Sequence, residues 1–304
     1  MKLPSLAFVV KVATLLGKRR ILAVHPLLRG LAPCKTWQMS PSARPLAEMP
    51  TSALRGVRGV MTDIDDTLTR DGAIEPAALE ALHRLAAAGV PVIAITGRPM
   101  GWSLPFATVW PVGAIVAENG AVALIREGTA LSVEYAQDEG TRAADSARLQ
   151  AVAAEVLRDV PGATLAQDSA GRVTDIAIDH SEFAHLPQAQ IDQAVALMRS
   201  HGMKATVSSI HINGWFGEHS KFTAAAWMMQ RLFGRDLQAE IGQWIYVGDS
   251  TNDQPMFEAF PLSVGVANVR DFAAALKVWP RYIAQGERGA GFAEVAAALL
   301  AARA

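Results

Sequence analysis

The sequence predicts an α/β protein, with a Rossmann-like core around a parallel β-sheet and an inserted domain of α+β character. Two observations support this fold class. Toward both ends of the chain, short apolar runs alternate with helical patterns, as they do in βαβ units. In the middle, two amphipathic helices are combined with short, partly alternating strands, which is typical of a sheet that exposes one face.

The first βαβ unit begins with an apolar run at residues 57–64, which ends in a cluster of acids. Pro76 suits the first turn of a helix, apolar residues follow at helical spacing, and Gly89 can end that helix. Residues 90–95 and 114–117 are the next apolar runs, and each leads into a polar turn. We therefore expect three parallel strands from this part of the chain.

The inserted segment, residues 133–212, has a different pattern. Apolar side chains three and four positions apart predict two amphipathic helices, at 143–157 and 191–198. Short strands are predicted in the same segment at 163–166, 173–178 and 205–210. The α/β pattern then resumes with a helix over 221–233 and strands over 244–247 and 262–266. The core domain is accordingly expected to comprise residues 51–132 and 213–304.

Residues 1–50 precede this pattern, and we expect them to be a poorly ordered basic extension. The first 47 residues contain eight basic residues and no acid, whereas the rest of the chain contains 20 basic and 29 acidic residues. The main body is therefore acidic. An acidic protein that handles phosphate needs a divalent cation or a local group of lysines and arginines.

Composition excludes several classes of protein. The net charge of −1 predicts neither a nucleic-acid nor a membrane partner. A single cysteine, Cys34, excludes an internal disulfide and a zinc site built from cysteines. No apolar run approaches the roughly 18 to 20 residues that a membrane-spanning helix requires. We expect a soluble, cytoplasmic protein, and the sequence does not indicate its oligomeric state.

Three carboxylates, those of Asp63, Asp65 and Asp66, follow the first predicted strand within four residues. In open α/β sheets, ligands bind at the carboxyl ends of the strands, so these acids stand where chemistry is expected. Clustered carboxylates repel one another, and a bound cation relieves that repulsion. Mg²⁺ is the natural choice because it prefers hard oxygen ligands. Alone, the motif is equally well explained as an Asp-rich turn that caps a helix.

A second acidic loop favours the functional interpretation. Asp249, Asn252 and Asp253 follow the predicted strand at 244–247, so two strands of one sheet deliver aspartates at their ends. Lys221 opens a predicted helix, where its ammonium group and the positive helix end can both face an anion.

Thr96, Gly97 and Arg98 end another predicted strand. The Thr96 hydroxyl and the backbone N–H groups of Gly97 and Arg98 can bind phosphate oxygens at that position. The Arg98 side chain has two interpretations, since it can bind phosphate or pair with an acid of the inserted domain.

These four motifs, in order and in spacing, resemble those of the haloacid dehalogenase superfamily. The resemblance covers roughly residues 57–296. The insert falls between the second and third motifs, which is similar to the subgroup with a large α/β cap, including Cof-type sugar phosphatases and sucrose-phosphate phosphatase. Glu118-Asn119-Gly120 also resembles that subgroup.

The resemblance implies a Mg²⁺-dependent phosphatase that hydrolyses a small phosphorylated metabolite, such as a sugar phosphate, through an aspartyl-phosphate. Asp63 would be the nucleophile, and Asp65 would be the general acid and then the general base. The Mg²⁺ ligands would be Asp63, the backbone carbonyl of Asp65, Asp249 and, through water or by orienting Lys221, Asp253. The phosphoryl group would be bound by Thr96, Gly97, Arg98, Lys221 and Asn252.

Other functions remain open at this point. A phosphomutase keeps the same acid and the same kind of cap, and a receiver domain or a non-catalytic phosphate-binding protein uses similar residues. Substrate identity is not indicated. His211, Asn213 and Trp215, where the insert returns to the core, are interpreted as hinge and packing residues rather than substrate ligands. Asp66, Asp179, His180 and His219 are expected to be structural.

Overall fold

The computed structural model describes residues 43–304. Within this part of the chain the strands are β1 (Arg44–Pro45), β2 (Gly59–Thr62), β3 (Thr69–Arg70), β4 (Ala73–Ile74), β5 (Val92–Ile95), β6 (Ala114–Ala117), β7 (Val122–Glu127), β8 (Ala130–Tyr135), β9 (Thr164–Leu165), β10 (Asp175–Asp179), β11 (Lys204–Val207), β12 (His211–Trp215), β13 (Trp244–Gly248), β14 (Leu262–Gly265) and β15 (Tyr282–Ile283). The α-helices are α1 (Thr51–Arg55), α2 (Pro76–Ala87), α3 (Met100–Val109), α4 (Glu139–Asp159), α5 (Gln188–Ser200), α6 (Lys221–Phe233), α7 (Leu237–Glu240), α8 (Gln254–Ala259) and α9 (Arg288–Arg303). None of these helices has the length and apolar character needed to cross a bilayer.

The central sheet confirms the predicted α/β class. Its strand order is β1-β15-β14-β13-β2-β5-β6-β7-β8, and every neighbouring pair from β1 to β6 is parallel. The strands β7 and β8 close the sheet as an antiparallel hairpin, which the sequence analysis did not predict.

Helices cover both faces of this sheet, so its strands are apolar on both sides. Successive residues of β2 show the alternation, because Val60 belongs to the cluster under α2 and α9 whereas Met61 belongs to the cluster under α6 and α8. The same holds in β13 for Ile245 and Tyr246. The rigid centre of the sheet thus fixes where each strand ends.

The inserted domain forms a second, antiparallel sheet of order β11-β12-β10-β9, and helices α4 and α5 pack on it around a separate apolar cluster. We call residues 136–216 the cap. These bounds differ slightly from the predicted 133–212, because β8 pairs with β7 as far as Tyr135 and β12 pairs with β10 as far as Trp215.

The predicted extension 1–50 is wrong for residues 43–50, and residues 1–42 lie outside the described part of the chain. β1 adds a parallel strand to the edge of the central sheet, with the Arg44 N–H donating to the Arg281 carbonyl at 3.1 Å. Leu46 and Met49 are buried in this region. A two-residue strand has no periodicity that a sequence pattern reveals, which is why these residues were assigned to the extension.

Candidate active site

The four motifs predicted from the sequence meet at one edge of the central sheet. Asp63 directly follows β2, Thr96 directly follows β5, and Asp249 directly follows β13. Because β13, β2 and β5 are adjacent parallel strands, their carboxyl ends carry these side chains to the same place. Lys221 is the first residue of α6, and it is buried beside them.

An ion-paired lysine joins the first and fourth motifs. The Nζ atom of Lys221 lies 2.6 Å from Oδ1 of Asp63 and 2.7 Å from Oδ1 of Asp253. Ser220 fixes the start of α6, because it exchanges two hydrogen bonds with Thr223 in a capping box. The position of the lysine is therefore set by a capped helix.

Asp253 in turn is held by the loop that follows β13. Its Oδ2 atom accepts the backbone N–H groups of Asp249 and Ser250 at 2.9 and 3.1 Å, and its Oδ1 atom accepts the hydroxyl of Tyr246. A Cβ atom at Gly248 would lie 2.5 Å from that Oδ2 atom, so only glycine allows this close approach. The glycine of the fourth motif is thus explained by the tight fold of the loop over Asp253.

Three buried carboxylates, those of Asp63, Asp249 and Asp253, offer oxygen atoms that lie within 4.8 Å of one another. Burial raises the pKa of Asp63 to about 8, although Lys221 acts to lower it. Burial, together with the charges of Asp63 and Asp253, also raises the pKa of Asp249 well above its usual value. Burial acts to lower the pKa of Lys221, but the two aspartates beside it outweigh burial and raise it. One lysine therefore does not offset the charge of this cluster.

The donor set of this cluster fits a hard divalent cation. The Oδ1 atom of Asp249 is buried and has no hydrogen-bond partner among the described residues, although most buried polar atoms in proteins have one. Carboxylate oxygens are the ligands that Mg²⁺ prefers, together with phosphate oxygens and water. Of the predicted magnesium ligands, the carboxylates of Asp63, Asp249 and Asp253 lie together, whereas the carboxylate of Asp65 does not belong to this group.

The carboxylate of Asp65 faces the second motif instead. Its Oδ1 atom accepts the Nε–H of Arg98 at 2.8 Å, and its Oδ2 atom accepts the hydroxyl of Thr96 at 3.2 Å. The backbone N–H of Arg98, a predicted phosphate donor, binds the same Thr96 hydroxyl at 3.0 Å. The two carboxylates of the first motif, Asp63 and Asp65, therefore have different partners.

Gly97 and Asn252 complete the predicted phosphate site. Both line a cavity of about 10 Å³ that Asp63 and Asp65 also border. This volume holds about one water molecule, which is less than a phosphoryl group requires. We call this conformation closed, because it leaves no room for a phosphoryl group in the cavity beside Gly97 and Asn252.

Arg98 also joins the core to the cap. Its NH1 atom lies 3.1 Å from Oδ2 of Asp168, and its NH2 atom lies 2.7 Å from Oε1 of Glu182. On the other side, Nε2 of His211 lies 2.8 Å from Oε2 of Glu182. Burial acts to raise the pKa of Glu182, but the hydrogen bonds with His211 and Arg98 outweigh burial and lower it to about 2. Of the two interpretations of Arg98, pairing with a cap acid is the one present in this conformation.

A second arginine, Arg172 of the cap, also contacts the core. It donates to the carbonyl oxygen of Gly97 at 2.9 Å, and it pairs with Asp175 at 2.9 Å and with Asp168 at 3.1 Å. The Nδ2 group of Asn213 donates to the Asp175 carboxylate at 3.2 Å. Burial raises the pKa of Asp175 to about 7, against the opposing effect of Arg172. Asn213 and His211 both lie on β12, and these hydrogen bonds join each of them to an acid of the cap.

Glu118, which has no role predicted from the sequence, holds the cap from the core side. Its carboxylate is fully buried and accepts the backbone N–H groups of Val173 and Thr174 and the Thr174 hydroxyl. The Glu118-Asn119-Gly120 triplet directly follows β6, at the same sheet edge as the four motifs. That position, a buried acid at a strand end, is the signal by which this residue could have been found.

Three of the residues expected to have structural or packing roles make contacts within the protein. Asp66 has a positive φ of 52° and accepts the Nε–H of Arg288 at 2.7 Å. Asp179 accepts backbone N–H groups of the loop at 181–184. Trp215 is buried, and its Nε1–H donates to the carbonyl oxygen of His219 at 3.1 Å.

Comparison with known proteins identifies relatives of this fold. Residues 60–144 match the family model of the haloacid dehalogenase-like hydrolases. Curated phosphoglycolate phosphatases from two strains of Halobacterium salinarum are 26% identical over 216 residues, which is 69% of this chain and 84% of theirs.

Two solved structures match this chain over most of its length. The Synechocystis sucrose-phosphatase, in complex with sucrose and phosphate, matches with a TM-score of 0.58 and 17% identity, over 80% of this chain and 98% of that one. The C-terminal domain of Candida albicans trehalose-6-phosphate phosphatase matches with a TM-score of 0.60 and 12% identity, over 86% and 99%. At these identities the likeness shows the fold, and the fold places the cap between the second and third motifs. Taken with the family match over residues 60–144, this agrees with the resemblance first indicated by the motifs: the chain is similar to the haloacid dehalogenase-like hydrolases, and it shares the fold of structures with an inserted cap.

Proposed function

We propose that this hydrolase is a Mg²⁺-dependent phosphatase that cleaves a small phosphomonoester, such as a sugar phosphate, through an aspartyl-phosphate intermediate. The observation that carries the proposal is the position of Asp63. It lies at the end of the central strand, ion-paired with Lys221 and within 4.8 Å of two further carboxylates. A carboxylate that attacks phosphorus needs neighbouring positive charge, because nucleophile and phosphate repel each other.

Mg²⁺ would be held by Asp63, Asp249 and the backbone carbonyl of Asp65, with Asp253 bound through water or orienting Lys221. When bound, the ion would offset the charge of the phosphoryl oxygens and hold them in place for attack. The unpartnered Oδ1 atom of Asp249 supports this assignment, since a cation gives that buried oxygen the partner it lacks. The Lys221 ammonium adds a second positive charge on the same side.

The two carboxylates of the first motif have different roles in the proposed reaction. A carboxylate oxygen of Asp63 attacks phosphorus while the bond between phosphorus and the leaving oxygen breaks, and Asp65 supplies the proton that this oxygen takes up. Asp65 then removes a proton from water, the water oxygen attacks phosphorus, and the bond to Asp63 breaks. The products are an alcohol and inorganic phosphate.

The proposed proton transfer requires a change in the hydrogen bonds between Asp65 and its neighbours. In the closed conformation its Nε–H occupies one oxygen of Asp65 and the Thr96 hydroxyl occupies the other. One of these bonds must break before Asp65 can donate a proton to a leaving group. The Thr96 hydroxyl and the backbone N–H of Gly97 are then available to bind the phosphoryl oxygens, together with Lys221.

The test is hydrolysis of p-nitrophenyl phosphate by the full chain with Mg²⁺. We expect turnover that EDTA abolishes and Mg²⁺ restores, and that Ca²⁺ supports poorly because it accepts more ligands at longer distances. Asp63→Asn and Asp249→Asn should each abolish turnover, whereas the matched surface change Glu258→Gln should not affect it. Full activity in EDTA, or in Asp63→Asn, contradicts the proposal. Product analysis separates a phosphatase from a phosphomutase, because only the former releases inorganic phosphate from each substrate molecule.

A further inference from the structure

An open cavity of about 520 Å³ lies between the core and the cap, on the outer side of Asp65 and Arg98. This volume falls within the range of small-molecule sites and exceeds what a phosphoryl group needs. Asp65 borders both this cavity and the small one beside Asp63, so we place the rest of the substrate of the proposed reaction here. Its lining therefore determines which leaving groups the enzyme accepts.

The lining of this cavity is strongly acidic. The carboxylates that border it are those of Asp65, Asp66, Asp71, Glu182, Asp249 and Asp271. Among the described residues, the only arginines or lysines that border it are Arg98 and Arg288.

Both arginines already have carboxylate partners. The guanidinium of Arg98 is shared among Asp65, Asp168 and Glu182, and all three of its nitrogens are used. Arg288 donates its Nε–H to Asp66 at 2.7 Å. Within residues 43–304, the cavity therefore offers a substrate carboxylate no cation that is not already paired.

Two of the acids, Asp71 and Asp271, lie at the exposed mouth of the cavity. In the described part of the chain neither carboxylate forms an ion pair, and neither side chain accepts a hydrogen bond from another residue. Their charge is therefore not offset by a direct partner. They can accept hydrogen bonds from hydroxyl or ammonium groups of a substrate, and they repel an anionic one.

The cavity also presents apolar surface. Phe183 of the cap is 60% exposed and Phe272 is partly exposed, and both side chains border the cavity. Small-molecule sites commonly combine such aromatic surface with a few polar groups that fix orientation. A polyhydroxylated or amino-alcohol group, with C–H faces and hydrogen-bond donors, matches this lining.

We infer that the enzyme selects phosphomonoesters whose leaving group is neutral or cationic, and that it discriminates against leaving groups that carry a carboxylate. This inference rests on the proposed phosphatase function and names its substrate class. It also separates this chain from the activity in the names of its Halobacterium relatives, because the alcohol released from phosphoglycolate carries a carboxylate.

The test uses three small phosphate esters that differ in charge. They are 2-hydroxyethyl phosphate, phosphoethanolamine and 2-phosphoglycolate, whose leaving groups are neutral, cationic and anionic. For the wild-type chain with Mg²⁺ we expect kcat/KM for 2-phosphoglycolate to be at least tenfold below the other two values. Because the compounds differ in intrinsic reactivity, the decisive quantity is how their ratios change in variants and with salt.

The variants are Asp71→Asn, Asp271→Asn and Asp271→Lys. Asparagine suits position 71, where φ is 51°, because it tolerates the left-handed region. Each neutralisation should raise the ratio of phosphoglycolate to hydroxyethyl phosphate turnover by roughly three- to tenfold, and Asp271→Lys should raise it further. Added salt should shrink the wild-type discrimination. Glu80→Gln, on the exposed face of α2, makes the same change in net charge outside the cavity and should leave the ratio unchanged.

Two results distinguish failure of the inference from failure of the proposed function. The inference alone is overturned if p-nitrophenyl phosphate is hydrolysed normally but phosphoglycolate is the preferred ester. It is also overturned if substitution of Asp71 and Asp271 leaves the turnover ratios unchanged. Absence of Mg²⁺-dependent hydrolysis of any ester overturns the proposed function. In that case calorimetric titration of the three esters into the Asp63→Asn protein still decides the charge preference, and equal or absent binding of all three overturns it.

Discussion

Two groups of charged side chains lie close together where the cap meets the core. They differ in how far the protein itself supplies partners for their carboxylates. At the core edge, Asp249 keeps one buried oxygen without a partner, and burial raises the pKa of both Asp63 and Asp249. On the cap side, Asp168 and Glu182 each accept arginine N–H groups. In the first group a buried carboxylate oxygen has no partner in the protein, whereas the carboxylates of the second group pair with arginines and join the cap to the core.

This difference distinguishes the core carboxylates, to which we assign the chemistry, from the arginine-paired acids that hold the cap on the core. In the proposed function, Mg²⁺ and the phosphoryl group would offset the repulsion among the core carboxylates, which are unfavourable together without them. A cluster of mutually bonded charges stabilises one arrangement of two domains. The predictions below test this division, first by rate and then by stability.

The largest effect is expected within the first motif. Asp63→Asn removes the proposed nucleophile, so turnover should vanish at every pH. Asp65→Asn keeps the nucleophile but cannot supply a proton, and general acid catalysis is typically worth about 10² to 10⁴-fold. Formation of the phosphoenzyme in Asp65→Asn should therefore fall far more for a sugar phosphate than for p-nitrophenyl phosphate, whose leaving group needs little protonation.

Single-turnover quench experiments measure that formation step directly. In Asp65→Asn the trapped phosphoenzyme should be easier to observe with the aryl ester, because the later hydrolysis also needs Asp65. Equal losses for the two substrates in the formation step would mean that Asp65 only positions the loop or the metal.

The next two changes compare how the two clusters contribute to the free energy of unfolding. In EDTA, Asp249→Asn should raise the free energy of unfolding by about 1 to 2 kcal/mol, because it removes a buried carboxylate that lies beside two others and has no cationic partner. Mg²⁺ should stabilise the wild type and not this variant. Urea denaturation with and without Mg²⁺ measures both effects. A destabilised Asp249→Asn protein in EDTA would show that the core cluster is complete without a cation.

The matched change on the cap side should have the opposite sign. Asp168 accepts hydrogen bonds from both Arg98 and Arg172, so Asp168→Asn leaves two buried arginines with one carboxylate fewer. We expect unfolding free energy to fall by about 2 kcal/mol, whether or not Mg²⁺ is present. The same denaturation series measures it. An unchanged stability would mean that the cap is held by its backbone contacts to Glu118 rather than by the arginines.

The core residues of the site could be predicted from the sequence, whereas the contacts between cap and core could not. Asp63, Thr96 and Asp249 each follow an apolar strand, and neighbouring parallel strands end at one edge, so local pattern was enough to place them together. The partners of Arg98 on the cap stand 70 and 84 positions along the chain. Their pairing depends on how the cap docks, which no local pattern contains.

The fold shows a similar limit. The central strands were predicted because burial on both faces makes them continuously apolar. The hairpin of β7 and β8 and the edge strand β1 were not predicted. They are defined by which residues pair across neighbouring strands, and composition does not reveal that pairing. Leu46 and Met49 are buried through that pairing, so the basic extension was assigned too many residues.

The smallest effect is expected at His219, in the segment between β12 and α6 where the chain returns from the cap to the core. Its ring stacks on Trp215 with centroids 5.6 Å apart, and neither ring nitrogen has a partner among the described residues. Burial lowers the pKa of His219 to about 4, the nearby charge of Lys204 adds to this, and Glu218 opposes it. The unfolded chain therefore binds a proton on this ring more readily than the folded one does.

Because the folded pKa lies below the unfolded value, the contribution of His219 to stability is complete above about pH 6.5 and is lost as the pH falls toward 4. At about pH 5.5 the loss should reach roughly 1.4 kcal/mol. His219→Phe keeps an aromatic ring against Trp215 and cannot be protonated. Urea denaturation of both proteins at about pH 8 and pH 5.5 measures the difference, in which every other titrating group cancels. The variant should lose less stability than the wild type on acidification, and equal losses would mean that His219 exchanges protons with solvent in the folded state as freely as in the unfolded one.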